Sequence, residues 1–120
     1  MTKNINSKQY DLEERTFKFA WDVRIFIRQI PKIMNLEDSK QLIRSSGSIG
    51  ANYIEANEAL SKKDFVLRVK ICRKEAKETS YWLRLLNLGE GSNLNKEREK
   101  LVQEAIELMK IFSSIMRKSE

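Results

Sequence analysis

The chain has 120 residues, of which 41% are hydrophobic and 33% charged, with one proline, four glycines, one cysteine and no histidine. That length fits one domain, and so little proline and glycine favours a few long helices over a sheet protein or a disordered tail. A lone Cys72 with no histidine excludes disulfide frameworks, the usual zinc sites and any histidine relay, while a net charge of +6 admits an anionic partner and is equally a device for solubility. Residues 1–11 are polar and no later run approaches bilayer length, so neither a signal peptide nor a membrane anchor is expected and the cytoplasm is the default location.

In chain order, residues 1–10 are expected to be flexible, and a first helix is predicted from about Asp11 to Ile30. There Leu12, Phe19, Val23, Phe26 and Ile30 recur in steps of three and four, and Pro31 disfavours helical geometry at the residue before it. A second helix is predicted from Asn35–Ser39 to about Glu58, with Glu37 and Asp38 at the positive end of its dipole. Its middle, Ser45-Ser46-Gly47-Ser48-Ile49-Gly50-Ala51, has poor helix propensity; if helical it must be held by packing, and its small side chains let another helix come close. Ser61 followed by Asp64 reads as an N-cap opening a third helix that reaches about Leu88. Gly89, Gly91, Ser92 and Asn93 form a polar turn, and a fourth helix follows from Asn95 to Arg117 with Leu94, Leu101, Ala105, Leu108, Phe112 and Ile115 on one stripe. Four helices of this length on short loops predict an all-α, antiparallel up-down-up-down four-helix bundle spanning residues 1–120.

The charge is uneven: +3 over residues 1–34, −1 over 35–57, +4 over 58–88 and zero over 89–120. On helix three Phe65, Val69, Cys72, Ala76, Thr79, Leu83 and Leu86 form the seam toward the core. Lys63, Lys70, Lys77 and Arg84 recur every seventh residue on the far side, flanked by Arg73 and Lys74. Such a row is either an ordinary solvated face or a stripe that tracks phosphates.

A second apolar stripe, Leu67, Ile71, Trp82 and Leu85, lies away from both seam and lysines, and on helix one Phe17, Trp21, Arg24 and Arg28 share a face opposite the seam. A monomeric bundle helix needs one apolar face. Aromatics and arginines are enriched at interface centres, so a subunit interface is the leading expectation, with wider core packing and base stacking as alternatives.

Asn52, Glu55 and Asn57 near the end of helix two, with Glu78 on helix three, are the polar residues placed to sit against the core. Carboxylate-bridged metal pairs in bundles use Glu-x-x-His spacing, so a structural, register-fixing role is expected for Asn52, Glu55 and Glu78, with no metal or cofactor. Cys72 on the seam reads as a small buried hydrophobe, and no nucleophile stands beside a base. The expected mode of action is partner binding rather than catalysis.

The stretch from Ser45 to Leu86 carries a resemblance. Ser48, Ile49, Asn52, Glu55 and Asn57 in the pattern SI-x-x-N-x-x-E-x-N, the helix start Ser61-Lys62-Lys63-Asp64-Phe65, and Glu78 before Tyr81, Trp82 and Leu83 resemble the four-helix-bundle family of bacterial 23S ribosomal RNA intervening sequences, often labelled a ribosomal protein family. A related branch comprises the accessory variability proteins of diversity-generating retroelements, which assist a reverse transcriptase. Where the family usually has alanine, glutamate and glycine, this chain has Ile54, Glu55 and Ala56. The resemblance implies closed five-fold rings, which would account for the second apolar stripe, and nucleic-acid binding through a basic surface. The expected function is therefore a homo-oligomeric nucleic-acid adaptor that binds structured RNA or serves a reverse transcriptase. Lys63, Lys70, Arg73, Lys74, Lys77 and Arg84 are its first candidates for contact, and Arg24 and Arg28 its second. The alternative is a protein-interaction scaffold that does not touch nucleic acid.

Overall fold

In the computed structural model, which describes residues 3–119 and side chains from Asp11 to Ser119, α1 spans Lys3–Ile27, α2 Leu36–Asn57, α3 Lys62–Leu85 and α4 Asn95–Ser119. A single 3-10 turn, Ile33–Asn35, precedes α2. Each helix packs on the next, α2 on α3 and α3 on α4 most extensively; α1 closes the ring against α4, and the diagonal helices α2 and α4 meet through side chains in the core, where the rings of Tyr53 and Phe112 lie 5.7 Å apart. This is the antiparallel four-helix bundle expected, elongated to 51 × 25 × 19 Å. The flexibility expected of residues 1–10 lies outside the described side chains, and the helical backbone begins at Lys3 rather than Asp11.

Two helix ends differ from expectation. α1 stops at Ile27 because the chain tightens before Pro31: Gln29 N–H bonds to the Phe26 carbonyl at 3.0 Å and Ile30 N–H to that of Ile27 at 3.4 Å, a 3-10 pattern. α3 stops at Leu85, three residues early, because Leu86 turns extended and an asparagine outside the helix captures the strand that follows. The buried Asn35 side chain donates to the carbonyls of Pro31 (2.7 Å) and Asn87 (2.8 Å) and accepts from Asn87 N–H at 2.8 Å. Arg98 of α4 donates to the Leu86 carbonyl at 2.6 Å, so the chain leaving α3 is held from two sides. The other end of α3 opens as expected, with the Ser61 hydroxyl accepting from Asp64 N–H at 3.0 Å. Gly89 and Gly91 take positive φ values of 86° and 70°, which side chains disfavour, and so make the turn into α4.

The weakly helical stretch of α2 is held by packing on both flanks. Toward α3, Ser45 and Thr79 place their buried hydroxyls 2.9 Å apart, and the Cys72 thiol donates to the Ile49 carbonyl at 3.3 Å. Toward α1, a Cβ added to Gly50 would stand 2.9 Å from Thr16 Oγ1 and 3.2 Å from Thr16 Cβ, so the backbones meet where only glycine fits. Thr16 cannot readily yield: it is buried, and its hydroxyl lies 2.9 Å from the carbonyls of both Leu12 and Glu13. Around this contact Phe26, Leu42, Ile49, Leu83, Leu108 and Phe112 fill the core.

The two helical glycines should therefore respond oppositely to alanine. At Gly47 the new methyl meets only the guanidinium end of Arg24, which can shift by loosening its long 3.5 Å contact to the Ile43 carbonyl, so Gly47→Ala should gain helix propensity and raise stability by up to about 1 kcal/mol. Gly50→Ala should instead lose about 1–3 kcal/mol to overpacking. Thermal melts that rank Gly50→Ala level with Gly47→Ala would contradict the close approach.

Candidate nucleic-acid interface

Because α3 is gripped by α2 through Ser45, Thr79, Cys72 and Ile49, its rotation is set, and its basic residues emerge together along the groove it forms with α4. At one end Lys62, Lys63, Val66 and Lys70 line a recess of about 650 Å³ that Ser119 closes. In the middle Lys70, Arg73, Lys74 and Lys77 face Met109 and Ser113 across about 710 Å³. At the far end Arg84 and Arg98 lie with Val102, Gln103 and Glu99 around about 540 Å³. The six α3 candidates, Lys63, Lys70, Arg73, Lys74, Lys77 and Arg84, thus line successive recesses of one groove, whose apolar lining includes Leu67 and Ile71 of the second stripe.

None of these six cations makes an ion pair or a side-chain hydrogen bond among the described residues. Five acids pair elsewhere. Arg44 of α2 reaches Glu75 at 3.3 Å and Glu78 at 3.1 Å on the opposite flank of α3. Glu104 pairs with Arg15 of α1 at 2.7 Å, Asp22 with Lys18, and Glu107 with Lys110. Both Glu75 and Glu78 strengthen the positive charge on Arg44, against the opposing effect of its partial burial.

Arg24 and Arg28 do not join this row, since α1 is diagonal to α3. Arg24 donates to the Ala20 carbonyl at 2.9 Å and approaches that of Ile43 at 3.5 Å, stapling α1 to α2; Arg28 is exposed just beyond α1. Phe17 (64% exposed) and Trp21 (56%) stack at 6.3 Å beside a second groove of about 450 Å³, between α1 and α2, floored by Gly47, Gly50 and Ala51 and edged by Ile54. Leu67 (54% exposed) and Leu85 stand out from α3, whereas Ile71 and Trp82 are half-buried. Trp82 packs against the core, and its Nε1–H is buried with no partner among the described residues.

Of the polar residues expected to fix register, Asn52 does bridge helices: it accepts from Arg68 of α3 at 3.1 Å and donates to the Ser48 carbonyl at 2.9 Å. Glu78 meets Arg44 as described. Glu55 is exposed and forms no side-chain hydrogen bond among the described residues, so the position expected of it is filled by Glu75, which is only 8% exposed. Asn57 ties α2 to α1 through Glu13 at 2.8 Å. Cys72 is buried, and that burial pushes its thiol up to about 12, which keeps it protonated at neutral pH. Among the described residues no helix is long and apolar enough to cross a membrane.

No curated protein matches the chain. A crystal structure of a protein with unknown function from the S23 ribosomal protein family of Bacteroides thetaiotaomicron is 33% identical, with a TM-score of 0.77 over 92% of this chain and 98% of that one. The family model described as 23S rRNA-intervening sequence protein matches residues 8–114. By that match, and by the agreement in fold, the chain belongs to the 23S rRNA-intervening sequence protein family.

Proposed function

We propose that this protein is a non-catalytic, homo-oligomeric adaptor that binds nucleic acid along the α3–α4 groove. The observation that carries the reading is the row of six unpaired cations, in a bundle that commits most of its paired acids to holding helices together or to neighbours on the same helix. Unpaired cations keep their full attraction for phosphate and release condensed counterions on binding. Lysine predominates, and a mobile point charge lacks the planar fork with which arginine reads guanine, so the row supplies affinity and orientation rather than base choice. Membership of an intervening-sequence family supports ribosomal RNA as the setting; service to a reverse transcriptase is the related role, and a gene neighbourhood holding such an enzyme would favour it.

Self-association is the second part of the proposal. Two apolar surfaces among those exposed are dissimilar: a ridge on α3 at Leu67, Ile71, Trp82 and Leu85, and a groove between α1 and α2 beside Phe17 and Trp21. A two-fold dimer joins like patches, whereas unlike patches on different faces join head to tail and close as a ring. A pentamer is the ring we favour, and symmetry would repeat the basic row in every copy, adding weak contacts by multivalency. The same apolar surfaces favour the alternative reading, a protein scaffold that leaves nucleic acid alone.

Two measurements bear on these statements. Changing Lys70, Lys74 and Lys77 together to glutamine should weaken binding to all sequences alike and reduce the slope of log K against log salt by about 2 to 3. Unchanged binding at every salt concentration, with the oligomer intact, would leave the scaffold reading. Sedimentation of the parent should give the mass of a pentamer at micromolar concentration, and a Trp21→Glu variant should dissociate; a monomeric parent would sink the ring.

A further inference from the structure

We infer that the groove takes single-stranded rather than duplex nucleic acid, and that Tyr81, which stands beside the groove on the same basic face of α3, is the platform on which a base of that strand stacks; this rests on the nucleic-acid reading above. Along α3, Lys70, Lys74, Lys77, Tyr81 and Arg84 succeed one another in steps of four and three, which places them on one face of the helix. Tyr81 is 54% exposed. Its ring meets that of Trp82 edge to face at 5.1 Å, and the half-buried indole packs against the core, so the tyrosine is braced from behind. An exposed aromatic held rigid between Lys77 and Arg84 is the combination that binds single strands: cations for the backbone and a π-face for a base, with no demand on sequence.

A duplex fits the same surface poorly. At 1.5 Å rise per residue, Lys63, Lys70, Lys77 and Arg84 stand about 10.5 Å apart in a straight row about 32 Å long. A straight row lying along a duplex axis crosses only two phosphate strands in each turn of about 34 Å, so evenly spaced cations would not all meet phosphates. Duplex bases are stacked inside and leave Tyr81 nothing to cover, except at an end. The apolar floor at Val66 and Met109 would also stay uncovered beneath a rigid cylinder, whereas a flexible strand can settle onto it.

The test compares one single-stranded RNA of about 16 nucleotides, a typical upper site size for such grooves, with the same sequence closed into a duplex. Fluorescence anisotropy would be read for the full-length parent, Tyr81→Phe and Tyr81→Ala, with sedimentation as a check on assembly. The parent should prefer the single strand. Tyr81→Phe should match the parent, while Tyr81→Ala should lose about tenfold on the single strand and little on the duplex. A duplex bound as tightly as the single strand, or an equal loss on both for Tyr81→Ala, would overturn this inference and leave the basic groove standing. A parent that binds neither form would overturn the nucleic-acid reading along with it.

Discussion

The bundle depends on how thin α2 is between Ser45 and Ala51. One helix touches two neighbours at once there, α1 through Gly50 against Thr16 and α3 through Ser45 against Thr79 and Ile49 against Cys72. Small residues are poor helix formers, and the approach of two flanking helices offsets that cost by burying Leu42, Ile49 and their partners. A bulkier α2 would push α1 outward and let α3 turn about its own axis. The seam of α3 would then no longer settle which residues face water.

From that constraint the charge distribution follows. With α3 locked, Glu75 and Glu78 lie on the α2 flank within reach of Arg44, and the lysines lie on the α4 flank. Glu75 and Glu78 thereby point away from the lysine row, although Arg68 shares their flank. A helix that paired its acids and bases at i and i+4 would be a little more stable and electrostatically quiet. Here the bases keep their field, over a groove where α4 offers Met109 and Ser113 in the middle and a carboxylate, Glu99, at the far end. Phe17 and Trp21 lie on another side of the bundle, between α1 and α2, whereas Leu67 and Ile71 of the α3 ridge edge the basic recesses themselves.

Much of this was legible in the sequence, because the signals were local. Pro31, the Ser61–Asp64 cap and the glycines at 89 and 91 each act within a few residues, and the basic row follows from helical periodicity alone. What was not legible acts across the fold. Asn35 reads as a possible helix start, and only its meeting with Asn87, 52 residues away, shows it ending α3 early. Glu75 lies between lysines and looks solvent-facing until Arg44 of α2 covers it, whereas Glu55, which belongs to a recognisable pattern, ends up exposed. Trp82 was placed correctly by angle, but the width of an indole carries it back onto the core. Tyr81 reads in the sequence only as part of a family motif, because seven-residue counting picks out lysines and the stripe of four-and-three steps that includes it stands out only once α3 has a known outer face.

In the proposed mode of binding, the α3–α4 groove and no other basic surface meets phosphate. The most direct measurement of this is a lysine-modification footprint of the full-length protein with and without bound single-stranded RNA, read residue by residue by mass spectrometry. The account predicts that Lys63, Lys70, Lys74 and Lys77 are shielded by RNA while Lys18, Lys40 and Lys100 stay reactive. Shielding concentrated on those last three, or spread evenly over all the lysines, would contradict it.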